Sequence, residues 1–393
     1  MRVLLCPIGS RGFVYPMIGI ARRLQNSGHE VAFATSIDFE AVIAGAGMER
    51  LPRANTDGTS FQLNNWGHPL VVAIQVRHVQ HAIERFDPDV LLTSTLALGP
   101  LIAGEIADLP VAVLGLATYL WPVAIPGGER RAADPQAEYR HREMTALYNA
   151  ARGLFGLSPS PASLDASPML GSVYLLQSVP LLEPLTEHLP DRVRLVGSCL
   201  HEPAAPDAQL VEWLHSRSDA PAPLYVQHGS VFRAGDTFWS GLLAACDELG
   251  IRLAASMERH RGAPPDSCDA DRLVRGHVPQ QPVLEQARGV VCSANTTAVL
   301  GALTHGLPLL LFPTGGEQPA LSARCLAAGA ATTLPASSDA GDIRTALNRA
   351  LEGTAQRQAA RRLQAAFAQF DGPDMVVTAL EELTVPAVSS GVA

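Results

Sequence analysis

The chain has 393 residues, which is more than one compact hydrophobic core usually organises and enough for two domains. Apolar residues make up 47% and charged residues 17%, so we expect a large buried core. The formal net charge of −9 argues against a nucleic acid partner, because binding to a phosphate backbone requires a basic face. No apolar run is long enough to span a membrane, and the N-terminus has a strand-like apolar run where a secretory signal would need a longer one.

Cysteine usage points to a reducing compartment. The 6 cysteines are widely scattered and include no Cys-x-x-Cys pair, so we predict buried or partly buried thiols in a cytoplasmic protein.

Strand, turn, helix and strand follow one another at the start of the chain. The first apolar run stops at Pro7, and Gly28 ends the helix that comes after it. This order makes a βαβ unit of about three dozen residues. The predicted strands of the first half are 2–6, 29–34, 90–93 and 111–116, with a helix at 14–25.

A second series of apolar runs, each followed by Gly or Pro and a helical stretch, occupies the other half. Its predicted strands are 224–226, 252–255, 289–292 and 307–312. Alternating strands and helices indicate parallel sheets that are covered on both faces. We therefore predict an N-terminal domain (1–201), a Pro/Ala/Asp-rich linker (202–223), a C-terminal domain (224–370) and a helical tail (371–393) that packs back on the first domain.

Ligands of open α/β sheets sit beyond the carboxyl ends of the strands. Two such domains that face each other would enclose a cleft between those ends. The loops predicted to line it are 7–16, 55–68, 118–141, 227–234, 277–282, 292–298 and 313–320.

Several motifs occur in a fixed order along the second half. They are Gly276-His-Val-Pro-Gln-Gln-Pro282, Ser293-Ala-Asn-Thr-Thr297, Ala302-Leu-Thr-His-Gly-Leu-Pro308 and Pro313-Thr-Gly-Gly-Glu-Gln318. With Ser10-Arg-Gly-Phe-Val-Tyr-Pro16 near the start, this order resembles the family-one GT-B glycosyltransferases, particularly the bacterial enzymes that decorate antibiotics and macrolides. The resemblance covers essentially the whole chain. It implies a GT-B fold, in which two Rossmann-like domains face each other across an interdomain cleft.

The resemblance also implies roles in binding a nucleotide-sugar donor. His277 stands where the family often stacks an aromatic ring on the base, and Val278 and Gln280 border that base and its ribose. Glu317 and Gln318 match an acid–Gln pair that holds the hydroxyls of the donor sugar. The alternative for His277 is an ordinary histidine whose hydrogen bonds are satisfied by its neighbours. The alternative for Glu317 and Gln318 is a solvated loop.

A third group of residues is expected to bind the pyrophosphate. The resemblance implies this role for Gly229, Ser230, Ser293, Asn295, Thr296 and Thr297. The last four lie at the start of a predicted helix, and free N–H groups with the positive end of the helix dipole suit an anion. The alternative is that the Ser and Thr side chains only cap that helix.

The sequence departs from the family pattern at two places. Phe13 occupies the position of the family's His or Asp base, which is typically worth ~10²–10⁴-fold in rate. Three explanations of Phe13 are open: another residue serves as the base, the acceptor is acidic or already nucleophilic, or the protein no longer catalyses transfer. The candidate bases are Asp57 and His68, ranked first, then His78, His81, Asp134 and His141. In the phosphate loop, Ser293, Ala294 and Asn295 replace family His and Gly residues, which indicates altered donor recognition first and degeneration of the site second.

Aromatic side chains near the predicted cleft are expected to form an apolar acceptor wall. They are Phe13, Tyr15, Trp66 and Trp121, and the alternative for them is ordinary packing.

These expectations combine into one main hypothesis: an inverting glycosyltransferase that moves a sugar from a dTDP- or UDP-sugar to a small, partly apolar natural product. We predict no cofactor beyond the donor, no metal and a monomer or homodimer. The alternatives are a non-catalytic relative that binds a sugar nucleotide or assists another enzyme and, with less support, a sugar-nucleotide epimerase or hydrolase.

Overall fold

The structure is a computed structural model that describes residues 1–54, 60–124, 130–131, 136–161, 167–184, 186–203, 207–216, 221–228, 236–257 and 266–385. The chain forms two compact units. The first comprises Met1–Ser178, Leu185–Pro203 and Asp371–Ala393, and the second comprises Val179–Pro184 and Ala204–Phe370.

The first unit is built on a seven-stranded parallel sheet with the order β3-β2-β1-β4-β5-β8-β9. The strands are β1 (Arg2–Cys6), β2 (Glu30–Phe33), β3 (Glu49–Arg50), β4 (Val90–Ser94), β5 (Val111–Leu114), β6 (Val123–Ala124), β7 (Arg130–Arg131), β8 (Val173–Leu176) and β9 (Val193–Leu195). The helices are α1 (Arg11–Asn26), α2 (Glu40–Gly45), α3 (Pro69–Phe86), α4 (Gly99–Ala107) and α5 (Ala137–Gly153), with 3₁₀ turns at Ile37–Phe39, Pro168–Leu170 and Thr186–His188. β6 and β7 form a separate antiparallel pair.

The second unit repeats this plan around the order β12-β13-β11-β10-β14-β15-β16. Its strands are β10 (Leu224–His228), β11 (Leu253–Met257), β12 (Ser267–Cys268), β13 (Arg272–Arg275), β14 (Gly289–Cys292), β15 (Leu309–Leu311) and β16 (Ala331–Thr333). Its helices are α6 (Ala208–His215), α7 (Asp236–Glu248), α8 (Gln280–Leu284), α9 (Thr296–Thr304), α10 (Gln318–Ala327), α11 (Ala340–Glu352) and α12 (Thr354–Phe367). Within this sheet, β12 is antiparallel to β13 and the other pairs are parallel.

Continuous apolar runs form the central strands, because both faces of these sheets are covered. All residues of β4, β5, β14 and β15 are buried. The predicted strand at 307–312 is shorter in the structure and begins at Leu309. Pro308 has no N–H to donate to the ladder, so it contributes only its carbonyl, which accepts from the Val290 N–H at 3.0 Å.

The predicted tail forms α13 (Gly372–Thr384), which packs within the first unit. Val376 and Leu380 join the apolar cluster beneath α1 and are fully buried. On the outer side of the helix, His29 Nε2 lies 3.1 Å from a Glu381 carboxylate oxygen, and Arg23 forms an ion pair with Asp374.

Part of the predicted linker is a helix that packs within the second unit. Trp213 of α6 is 4% exposed, and its Nε1–H donates to the Asp269 carbonyl at 2.8 Å. The Arg252 guanidinium lies 4.3 Å from the centre of the indole ring. These contacts attach α6 to the turn between β12 and β13 and to the residue that precedes β11.

Each sheet has one point where the strand order reverses direction. In the first sheet it lies between β1 and β4, and in the second between β10 and β14. Ligands of open α/β sheets bind at the carboxyl ends of strands next to such a point. The loops after these strands are therefore where a binding site is to be sought. Among the helices that the structure describes, none combines the length and apolar character needed to cross a membrane.

Candidate functional site

The turn that follows β14 has an unusual backbone. Ala294 is fully buried and has a φ of 63°, in the left-handed region that a residue with a Cβ rarely adopts. Asn295 then caps α9, because its Oδ1 accepts from the Ala298 N–H at 2.9 Å. Its Nδ2 also donates to Ser293 Oγ at 3.3 Å, which ties the two sides of the turn together.

The start of α9 has the properties of an anion site. The first turn of the helix carries no acidic residue. None of the hydrogen bonds of the described chain uses the main-chain N–H of Thr297, which is half-buried beside the cap. An N–H group at the positive end of a helix dipole attracts negative charge. Capping and anion binding are compatible here, because the Asn295 side chain occupies only one of the first N–H groups.

Two residues with predicted donor contacts are buried. Ser293 is 0% exposed, and Val278 is also 0% exposed. The main-chain groups of Val278 are engaged as well: its N–H donates to Ser256 Oγ at 3.2 Å, and its carbonyl accepts from the Tyr225 phenol O–H at 3.3 Å. In this structure neither side chain offers surface to a ligand, and both stabilise the loops that carry their neighbours.

The loop after β15 is held by Gln318, the first residue of α10. Its Oε1 accepts from the Thr314 N–H and hydroxyl, both at 2.9 Å, and from the Gly315 N–H at 3.3 Å. The side chain is 4% exposed, so its carbonyl oxygen shapes the loop and is not available to a sugar hydroxyl. Glu317 precedes it at the N-cap position and is half-buried.

The other end of α10 is anchored by a buried ion pair. Arg324 Nη2 lies 2.8 Å from Glu183 Oε1, and Glu183 is 0% exposed. Both residues belong to the second unit. A buried charge without a partner would be strongly destabilising, so this pair fixes the helix that follows the β15 loop.

The turn after β13 carries the residues predicted to meet the base. His277 is half-buried, and Gln280 is the first residue of α8. Gln280 packs on α9: a Cβ on Gly301 would lie 3.0 Å from its Oε1. Gly229 and Ser230, after β10, lie outside the described residues.

In the first unit, the start of α1 lacks an ionisable proton acceptor. Phe13 lies in the first turn, half-buried, and no acid occurs in that turn. Ser10 is the N-cap residue, but its side chain makes no capping hydrogen bond. The half-buried Tyr15 packs against the core of this unit, and burial raises the pKa of its phenol.

The candidate bases are placed differently from one another. Asp57 and Asp134 lie outside the described residues. His68 is exposed and caps α3, where its Nδ1 accepts from the Leu70 N–H at 3.3 Å.

Three other histidines were expected in or near cleft loops, but they lie on helices. His78 and His81 belong to α3 and His141 to α5. His78 is 0% exposed with both ring nitrogens hydrogen-bonded, and His141 is 5% exposed with its Nε2 2.8 Å from Ser167 Oγ. Their burial removes His78 and His141 from direct contact with an acceptor.

The predicted acceptor wall is only partly at the surface. Trp66 is half-buried in the segment before α3. Trp121 is 3% exposed, and its ring meets His141 edge-on at 6.0 Å. Trp121 therefore packs beneath the surface, as in the alternative interpretation of these aromatic residues.

Two models of known protein families match this chain, one in each half. Residues 3–113 match the N-terminal domain of glycosyltransferase family 28, and residues 247–383 match the C-terminal domain of proteins similar to erythromycin biosynthesis protein CIII. Among curated proteins, the 4'-demethylrebeccamycin synthase of Lentzea aerocolonigenes is 23% identical over 97% of this chain and 99% of its own length.

Solved structures agree on the fold. The spinosyn rhamnosyltransferase SpnG, a GT-B glycosyltransferase, superimposes with TM-scores of 0.70 with bound spinosyn aglycone and 0.71 with bound thymidine diphosphate. Its sequence identity is 24% and 23% in these two comparisons, and each covers 97% of this chain and 100% of the other.

The reactivity of the cysteines tests the burial of the turn after β14. Burial raises the pKa of Cys292, which immediately precedes that turn, to about 12. Of the 6 cysteines, Cys268 is exposed and the others are buried. We expect an aromatic disulfide reagent at pH 8 to react rapidly with Cys268 alone, and with all thiols after unfolding. A Cys268→Ser variant should lose the rapid phase, and rapid labelling of Cys292 would contradict the structure.

Proposed function

Because this chain is a glycosyltransferase with the GT-B fold and an EryCIII-like C-terminal domain, we propose that it transfers a sugar from a dTDP- or UDP-sugar to a small, partly apolar natural product, with inversion at the anomeric carbon. The observation that carries the proposal is the start of α9, where neutral donors and no acid follow a buried strand. That arrangement suits a diphosphate. The thymidine diphosphate and aglycone complexes of SpnG support the donor and acceptor classes.

In the proposed reaction, an acceptor oxygen attacks the anomeric carbon from the face opposite the diphosphate. The bond from that carbon to the diphosphate oxygen breaks, and the leaving group takes the electron pair. The N–H groups at the start of α9, together with Ser230 and the half-buried Thr297, stabilise the charge that develops there. His277 and Gln280 hold the nucleoside, and Glu317 holds sugar hydroxyls. The acceptor proton passes to a base.

Of the two bases ranked first, we favour Asp57. The Nδ1 of His68 accepts a main-chain hydrogen bond, so the proton of its neutral ring is on Nε2. In that form Nε2 cannot take a proton from an acceptor, and Nδ1 becomes available only if the cap of α3 is lost. A carboxylate such as that of Asp57 can accept a proton through either oxygen.

The decisive experiment measures transfer. The protein is incubated with dTDP-glucose or UDP-glucose and either 7-hydroxycoumarin or an aliphatic macrolactone, and products are followed by mass spectrometry and NMR. We expect a glycoside whose anomeric configuration is opposite to that of the donor. Nucleotide binding without turnover would favour the non-catalytic alternative, which the Phe13 position motivates. Nucleotide release that needs no acceptor would favour a hydrolase.

The proposed diphosphate site is tested by two substitutions at Asn295. Asn295→Asp keeps a good cap but places a negative charge beside the diphosphate, so we expect unchanged thermal stability and about 10- to 100-fold weaker dTDP binding in calorimetry. Asn295→Ala is the matched control: it loses the cap and about 0.5–2 kcal/mol of stability without adding charge. Equal dTDP affinity of Asn295→Asp and the unmodified protein would refute the site.

The base is tested by comparing two variants. Asp57→Asn should lower kcat for transfer to an aliphatic alcohol by ~10²–10⁴-fold, because general-base help is lost. The loss should be smaller for an acidic phenol such as 7-hydroxycoumarin, which needs less help. His68→Ala should lower the stability of α3 and leave kcat nearly unchanged. The reverse pattern would assign the base to His68.

A further inference from the structure

His78 connects two points of the chain that are close in space but separated in sequence. It lies on α3 and is fully buried. Its Nε2 is 2.8 Å from the Leu51 carbonyl, and its Nδ1 is 2.6 Å from Ser60 Oγ. A carbonyl only accepts, so Nε2 carries the ring proton and Nδ1 accepts from the Ser60 hydroxyl. One imidazole therefore holds both ends of the segment that joins Leu51 to Ser60.

The residue after Ser60 has a backbone that only its surroundings can maintain. Phe61 is 0% exposed and has a φ of 62°, which is strained for a bulky side chain. Its ring meets the His78 ring edge-on, with centres 5.6 Å apart. The histidine thus supports the strained residue through packing as well as through the hydrogen bond to its neighbour.

This strained segment lies directly against the carboxyl end of β1. The Gly9 N–H donates to the Phe61 carbonyl at 2.6 Å, and Gly9 forms a parallel bridge with Gln62. A Cβ on Gly9 would lie 3.1 Å from the Phe61 carbonyl oxygen and 2.6 Å from Ser36 Cβ, so there is room only for glycine. Helix α1 begins two residues later, and its first turn carries Phe13.

We propose that His78 is a positioning residue for the acceptor side of the reaction. It holds residues 60–62 against Gly9 and thereby fixes the wall next to the start of α1, on the acceptor side of the proposed reaction. The inference rests on the proposed function. It predicts an effect on rate because a displacement of about 1 Å at such a wall is enough to cost ~10²-fold. His78 itself is buried and acts through Ser60 and Phe61.

Three substitutions separate the two hydrogen bonds of His78. His78→Asn keeps an acceptor near the Nδ1 position, His78→Gln keeps a donor near the Nε2 position, and His78→Ala removes both. Ser60→Ala removes only the hydroxyl and is the milder variant if His78→Ala does not fold. Arg77→Ala, an exposed neighbour on the same helix, is the matched control.

Each variant is assayed for transfer to 7-hydroxycoumarin, for hydrolysis of dTDP-glucose without acceptor, and for dTDP affinity by calorimetry. We expect His78→Ala to lower kcat for transfer by about 100-fold. The kcat values of His78→Asn, His78→Gln and Ser60→Ala should lie between those of His78→Ala and the unmodified protein. The dTDP affinity and the hydrolysis rate should stay within about twofold of the unmodified protein, because a displaced acceptor wall does not move the donor loops. Hydrogen exchange of the Gly9 amide should become faster in His78→Ala and stay unchanged in Arg77→Ala.

A merely structural role would reduce transfer, hydrolysis and dTDP affinity together, and that result would overturn the inference. So would full transfer activity in both His78→Ala and Ser60→Ala. If the unmodified protein binds dTDP but transfers nothing to any acceptor, the proposed function fails first. Positioning for transfer then fails with it, whatever the hydrogen exchange of Gly9 shows.

Discussion

The turn between β14 and α9 is the constraint on which the proposed donor site depends. Ala294 adopts a left-handed backbone that costs a residue with a Cβ roughly 1–2 kcal/mol. The Asn295 cap, worth about 1 kcal/mol, and the burial of Cys292 and Ala294 offset that cost. The folded unit therefore holds the N–H groups of α9 in place before any ligand arrives. Donors that need no reorganisation stabilise developing charge most effectively.

The first unit uses its polar groups in another way. At the carboxyl edge of its sheet, side-chain hydroxyls form hydrogen bonds with main-chain groups. Ser94 Oγ accepts from the Ile8 N–H at 3.0 Å, and the Thr35 hydroxyl donates to the Pro7 carbonyl at 2.7 Å. These bonds fix the end of β1, and the first turn of α1, which follows, carries Phe13 and no acid. An acceptor there meets an apolar group, so the described part of this edge favours binding over proton removal. In the proposed reaction, the proton passes to a residue outside the described part of this edge, for which we propose Asp57.

Much of the architecture was predictable from the sequence, whereas the burial of individual site residues was not. Apolar runs ended by Gly or Pro predict strands well, because buried parallel strands need both features, and the order of motifs pointed to the GT-B fold that the structural comparisons confirm. Whether a residue at a strand end faces a ligand depends on tertiary packing, which a motif does not carry. Val278, Ser293 and Trp121 turned inward for this reason.

The position of His78 on a helix could have been predicted, because the buried residues Val72, Val76 and Val79 around it recur at helical spacing. No feature of the sequence predicts the left-handed backbone of Ala294.

The charge pattern of two neighbouring loops sets the direction of a bound donor in the proposed function. β14 and β15 are paired strands, whose chains lie about 4.8 Å apart. The loop after β14 offers neutral donors at a helix start, and the loop after β15 offers the Glu317 carboxylate. A diphosphate is attracted to the first and repelled by the second, whereas sugar hydroxyls donate well to a carboxylate. In the proposed function, the donor would therefore bind with its phosphates over β14 and its sugar over β15. Gln318 and Arg324 hold α10 in place, and the acid with it.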